Sequence, residues 1–147
     1  MNKSRHGARR GGKQRTRQEH AEETAQDYVE LIAELNAECG EARAIDLARR
    51  FSVTHVTVGK ALQRLERLGL VRLAPYKAIS LTVAGKRLAS KAKHRHQVVL
   101  KFLLSIGVPV DVAESDAEGI EHHVSEETLG AMEKIIKKLE HRLERRL

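Results

Sequence analysis

Between Tyr28 and Leu81 the apolar residues keep a helical period three times and then switch to strand-like runs. That order of elements restricts the fold more than any other feature of the chain. Tyr28, Leu31, Ile32 and Leu35 follow the i, i+3, i+4, i+7 rule, in a pattern that starts at Thr24 and stops at Gly40. Ala44, Leu47, Ala48 and Phe51 repeat the spacing over a shorter stretch. Val53-Thr54 predicts a turn, with Thr54 capping a third helix whose stripe is Val58, Ala61, Leu62 and Leu65 and whose end is Gly69. Residues 70–73 and 79–81 predict two short strands around the turn Ala74-Pro75-Tyr76-Lys77-Ala78. Composition agrees, since a chain with 3% aromatic residues and no Trp, rich in Leu and Ala, favours helices over sheet.

Three helices and a hairpin in this order predict a winged helix-turn-helix. The remainder of the chain, from Thr82 onward, predicts helices only. Thr82 is placed to cap a long helix reaching about residue 106, with Leu88, Val99, Phe102, Leu103 and Ile106 available for packing. Gly107 and Pro109 interrupt it, Asp111 is placed to cap the next helix, and Ser125 opens the last one with Glu126 and Glu127 in its first turn. Leu129, Met132, Ile136, Leu139 and Leu143 recur at 3,4,3,4 spacing, a seam for another helix of the same chain or of a second copy. The expected fold is therefore mostly α: a winged helix-turn-helix over residues 21–84, then an all-helical domain over 85–147.

Residues 1–20 stand apart. Lys3, Arg5, Arg9, Arg10, Lys13, Arg15 and Arg17 face Glu19 alone, a net +6 that leaves +1 of the formal +7 for everything else. So basic a stretch buries too little apolar surface to order itself, and reads as a flexible, solvated arm. Because the remainder is nearly balanced, the high pI says little about partners, and local patches must carry any case for nucleic acid.

Such a patch is present. In a helix-turn-helix the second helix enters the major groove while the first braces it against the backbone. Here Thr54, His55 and Thr57 at its start are placed for base edges, and Lys60, Arg64 and Arg67 for phosphates. Tyr76 and Lys77 on the wing are placed for the adjacent backbone or minor groove. The competing reading, solvated positions on a small helical domain, does not explain why helices and hairpin come in this order. Double-stranded DNA is the expected partner.

A second group of residues suggests metal chemistry. In Asp116-Ala117-Glu118-Gly119-Ile120-Glu121-His122-His123, read as one helix, Glu118, Glu121 and His122 share a face at i, i+3 and i+4. Asp27 and Glu30 form another i, i+3 pair, and His94 and His96 lie on the long helix about 200° apart, so that only one can face a common site. Each cluster alone is more often a solvated charged face. Gly119 weighs against that, because a glycine inside a helix costs roughly 1 kcal/mol against Ala, as though something approached closely. Two carboxylates about 6 Å apart repel by roughly 3 kcal/mol at an effective dielectric of 20, so a gathering of four calls for a cation. A set rich in oxygen, poor in nitrogen and free of thiolate suits Mn²⁺ or Fe²⁺ better than structural zinc.

Four stretches together make the chain similar to a known family: Asp27-Tyr28-Val29-Glu30, Thr82-Val83-Ala84-Gly85-Lys86, Arg95-His96, and residues 116–123. Over residues 27–123 the chain resembles the diphtheria-toxin-repressor-like family of metal-dependent regulators, in its manganese-responsive branch. The resemblance implies Asp27, Glu30, His96, Glu118, Glu121 and His122 as metal ligands, and so selects His96 over His94. Iron-responsive relatives carry Met and Cys where this chain has Asp27 and Glu118, which implies Mn²⁺ and a cluster of two ions per subunit. It further implies a homodimer on a palindromic operator, metal held between a DNA-binding and a dimerisation domain, and repression of manganese uptake genes. The basic arm departs from the family pattern, and the SH3-like domain of the iron-responsive relatives is not expected within these 147 residues.

Rival functions find less support. An Fe²⁺-responsive regulator shares the architecture, and a winged-helix regulator without metal would ignore a chelator. Carboxylate-bridged oxidases need paired Glu-x-x-His helices, whereas Glu-x-x-Glu-His occurs once here. There is no His-Glu-x-x-His, phosphate-binding Gly-rich loop or Ser/His/Asp set. No enzyme, small-molecule substrate or membrane association is expected. The longest apolar run, residues 98–110, contains Lys101 and Pro109. A lone Cys39 and no secretory signal suit a soluble protein of the reducing cytoplasm.

Overall fold

The computed structural model describes the backbone of residues 6–145 and the side chains of residues 16–145. Its elements are α1 (His6–Cys39), α2 (Ala44–Phe51), α3 (His55–Arg67), β1 (Val71–Arg72), β2 (Ser80–Leu81), α4 (Val83–Ser105), α5 (Val110–Ile120) and α6 (Glu126–Glu144). The chain divides into two compact units, residues 1–90 and 91–147.

In the first unit the three expected stripes meet. Tyr28, Leu31, Ile32 and Leu35 of α1 pack with Leu47 and Ala48 of α2, with Val58, Leu62 and Leu65 of α3, and with Val71 and Ile79 of the hairpin. The Tyr28 and Phe51 rings stack at a tilt, 4.6 Å apart, within the usual range for aromatic pairs. β1 and β2 are antiparallel, with Val71 opposite Leu81 and Arg72 opposite Ser80. An isolated bridge between Ala42 and Ile79 ties the wing to the segment before α2.

Local chemistry sets the helix ends. The Thr54 hydroxyl accepts from the Thr57 amide at 3.2 Å, the cap expected of it. Gly69 follows α3 at φ +70°, which a side chain would oppose. Thr82 caps α4 by accepting from the Gly85 amide at 3.0 Å while donating to the Gly69 carbonyl at 2.6 Å. At Gly85 a Cβ would collide with the Leu70 carbonyl oxygen, so this helix start passes the hairpin more closely than any side chain permits.

Three expectations are corrected. α1 begins at His6 rather than near Thr24, so the basic stretch is helical from that residue on. Its Arg, Lys, Gln and Ala are good helix formers, and they outweigh Gly7, Gly11 and Gly12. Residues 1–5 of the expected arm lie outside the described residues. α5 is preceded by Pro109 and starts at Val110, so Asp111 sits in its first turn instead of capping it. Ile106 is exposed, beyond the end of α4.

The second unit packs Val98, Val99 and Leu103 of α4 against Ala113 and Ala117 of α5 and Leu129 and Ile136 of α6. Ser125 caps α6 as expected, accepting from the Thr128 amide at 3.1 Å. Of the 3,4,3,4 seam, Leu129 and Ile136 are buried in this core with Met132 against it. Leu139 and Leu143 instead line a cavity of about 600 Å³ with Leu104 of α4. Among the described residues no helix is long and apolar enough to cross a membrane.

Candidate metal centre and nucleic-acid interface

Three of the expected ligands converge in the second unit. His96 of α4, Glu118 of α5 and Glu121 just beyond it each present a ligand atom within 4.8 Å of the others. His96 Nδ1 lies 2.5 Å from Glu121 Oε2 and 3.7 Å from Glu118 Oε1. On the other side of the same carboxylate, His122 Nε2 stands 3.7 Å from Glu121 Oε1.

The way residues 116–123 present these groups differs from expectation. α5 ends at Ile120, so Glu121 is its C-cap and His122 lies in the turn beyond it. The i, i+3, i+4 face thus straddles a helix end: Glu118 stands exposed on the last turn, while Glu121 folds inward. Ser125, the N-cap of α6, lies too close in sequence for α5 to continue. A Cβ at Gly119 would meet nothing within 4 Å in this chain.

Glu121 is only 4% exposed, the one buried charged residue among those described. Burial pushes its carboxyl above the ordinary carboxylate range, and the hydrogen bond and charge of His96 offset this in part. The cluster therefore holds a carboxylate that water does not stabilise, one imidazole touching it and a second nearby. A divalent cation fits such a set, since it would return to Glu121 the stabilisation that burial removes. The donors are oxygen and imidazole nitrogen, and a single cysteine, Cys39, is fewer than the two to four thiolates of a structural zinc site.

Asp27 and Glu30 lie on α1 in the first unit, both partly buried and neither without a partner. His94, the histidine set aside by the resemblance, pairs with Glu133 of α6 at 2.8 Å.

Sequence reasoning gave no role to Arg95. Its side chain is 11% exposed and reaches the turn after α5: Nε and Nη2 donate to the Glu121 carbonyl at 3.1 and 2.8 Å, and Nη2 to the Val124 carbonyl at 2.5 Å. Nη1 donates to Glu126 Oε1 at 2.9 Å. The available signal was an arginine beside a candidate ligand, facing a helix end whose last carbonyls need donors.

The nucleic-acid candidates lie on α3 and the wing. Thr54, His55, Thr57, Lys60 and Arg64 are all exposed. With Val58, Leu62 and Leu65 buried and about 100° per residue, Val56, Lys60, Gln63 and Arg67 point farthest from the core. Val56, 66% exposed at the helix start, and Gln63 were not anticipated; an apolar side chain there matches a thymine methyl. The Thr54 hydroxyl is engaged by the Thr57 amide and by the Thr57 hydroxyl at 3.0 Å, so its evident work is capping. Tyr76, fully exposed in a left-handed conformation at φ +58°, forms the tip of the wing beside exposed Lys77.

The chain thus joins a winged helix-turn-helix with an exposed basic third helix to a helical unit carrying a histidine–carboxylate cluster. Residues 20–79 match the family described as the iron dependent repressor N-terminal DNA binding domain, and residues 82–146 its metal binding and dimerisation domain. The transcriptional regulator MntR of Escherichia coli O6:H1 is 50% identical over 103 residues, 70% of this chain and 66% of that protein. The HTH-type transcriptional regulator MntR of Lysinibacillus sphaericus is 33% identical over 112 residues, 76% of this chain and 81% of the relative. A solved manganese-dependent transcriptional repressor in complex with manganese superimposes with a TM-score of 0.70 at 28% identity, covering 77% of this chain and 52% of its own. The chain belongs to the iron-dependent, diphtheria-toxin-repressor-like family of transcriptional repressors, and its relatives include the MntR regulators.

Proposed function

We propose that this protein is a Mn²⁺-responsive DNA-binding transcriptional repressor. The observation that carries the reading is Glu121, a buried carboxylate touched by His96 and flanked by Glu118 and His122, in a chain whose other unit is a winged helix. The solved manganese-dependent repressor supports the choice of ion. The reading extends the donor set to Asp27 and Glu30 and to two ions per subunit, on the sequence resemblance. It also takes a homodimer on a palindromic operator as the acting form and manganese uptake genes as the targets. Exposed Leu104, Ile106, Val110 and Val112 in the helical unit supply apolar surface for a second copy. An assignment to the cytoplasm follows from DNA as the partner.

The chain's own residues account for a response to metal. Glu118 and Glu121 repel one another, and burial disfavours the charged form of Glu121. Mn²⁺ bound there would supply two positive charges and a preference for oxygen and imidazole donors. Lys60, Arg64 and Arg67 neutralise phosphates while Val56, His55 and Thr57 face base edges. Coupling between metal and DNA is then a difference in metal affinity between DNA-competent and incompetent states, which in such systems amounts to about five- to hundred-fold.

The test is a fluorescence-anisotropy titration of candidate promoter DNA with Mn²⁺, Fe²⁺, Zn²⁺ and chelator side by side. Binding tightens with Mn²⁺ and falls back in chelator. Equal affinity in all arms rejects metal control, and a response confined to Fe²⁺ rejects manganese as the signal.

A further inference from the structure

Residue 121 is held twice from α4: its carboxylate by His96 and its carbonyl by Arg95. Adjacent helical residues point about 100° apart, so one turn of α4 approaches the turn after α5 along two directions. The Glu121 and Val124 carbonyls lie beyond the last helical hydrogen bonds of α5, at the negative end of that helix, where a cation and a multiple donor are favoured. Arg95 satisfies both, and the guanidinium continues to Glu126, which Lys91 also contacts at 3.0 Å. A planar fork with five N–H donors can make this set of bonds at once; an ammonium cannot.

We propose that Arg95 is the positioning residue of the metal centre: it fixes the 121–126 turn so that Glu121 meets His96 before a cation arrives. The proposal rests on the metal-site reading of Glu121, His96 and Glu118. A ligand held only by the chain around it loses that preorganisation when its outer support is removed, at a typical cost of about ten- to hundred-fold in metal affinity. Glu126, 63% exposed, contributes little by comparison, because a solvated ion pair is weak.

The full-length protein is compared as wild type, Arg95→Gln, Arg95→Lys, Glu126→Gln and Glu121→Ala. Mn²⁺ affinity is measured by electron paramagnetic resonance titration, and backbone order in residues 121–126 by hydrogen exchange without metal. Expected are roughly ten-fold or greater weakening in Arg95→Gln, partial recovery in Arg95→Lys and near wild-type affinity in Glu126→Gln. Faster exchange at residues 121–126 in Arg95→Gln, with exchange elsewhere in the second unit unchanged, separates positioning from general destabilisation. If Arg95→Gln fails to fold, Arg95→Lys decides by the same two readouts. Wild-type affinity and wild-type exchange in whichever folded variant is measured overturn the role of Arg95. If Glu121→Ala binds Mn²⁺ as tightly as wild type, the metal site itself is wrong.

Discussion

Glu121→Gln should make the metal-free protein more stable and the metal-loaded protein relatively less so. The ligand atoms of Glu118 and Glu121 lie within 4.8 Å of one another, which at an effective dielectric of 20 is a repulsion of about 3 kcal/mol. Glu118 is 72% exposed, so water and salt reduce this to about 1 kcal/mol. Burial of the Glu121 carboxylate acts in the same direction, while a glutamine carbonyl oxygen can still accept from His96. In chelator at neutral pH the variant should therefore be about 1 kcal/mol more stable, a rise in Tm of about 4 °C. With Mn²⁺ at 100 times its Kd the wild type gains about 2.7 kcal/mol and the variant little, so the order inverts. The pH dependence has a definite sign. Glu121 holds its proton to higher pH in the folded state than its ordinary value of 4.5. Its contribution to stability is complete below that value and lost as pH rises through the raised one. The advantage of the variant should accordingly vanish in acid. Thermal unfolding by circular dichroism at one fixed protein concentration reads all of this. A variant less stable than wild type in chelator, or gaining as much from Mn²⁺, refutes the reasoning.

Gly85→Ala pushes a methyl into the Leu70 carbonyl and should cost about 2 kcal/mol, seen as a lower urea midpoint with unchanged slope; an unchanged midpoint would contradict the close approach. Thr54→Ala removes the α3 cap and should destabilise by about 1 kcal/mol in the same assay. Lys60→Ala should weaken binding to specific and random DNA alike and lower the salt slope of log K by about 1, in titrations at several salt concentrations.

The caps and core stripes were legible because they depend on neighbours within one turn of helix. Thr54, Thr82 and Ser125 each accept the amide three residues on, and the buried faces of α1, α2 and α3 carry the apolar residues their spacing marks. His96, Glu118 and Glu121 were legible as ligand types, and the structure brings them together. The end of α5 at Ile120 was not, because the Glu121–His123 residues carry no helix breaker; competition from the Ser125-capped α6 decides it. The grip of Arg95 on the Glu121 and Val124 carbonyls joins positions 26 and 29 residues apart, a separation at which periodicity is silent. The early start of α1 escaped because charge composition argued against order where helix propensity argued for it.

The central claim is that Glu121, His96 and Glu118 share a cation. A manganese-edge anomalous difference map from crystals grown with Mn²⁺ tests it most directly. The expected result is a peak within bonding distance of both His96 and Glu121. A map with manganese bound elsewhere and none at these side chains would contradict it.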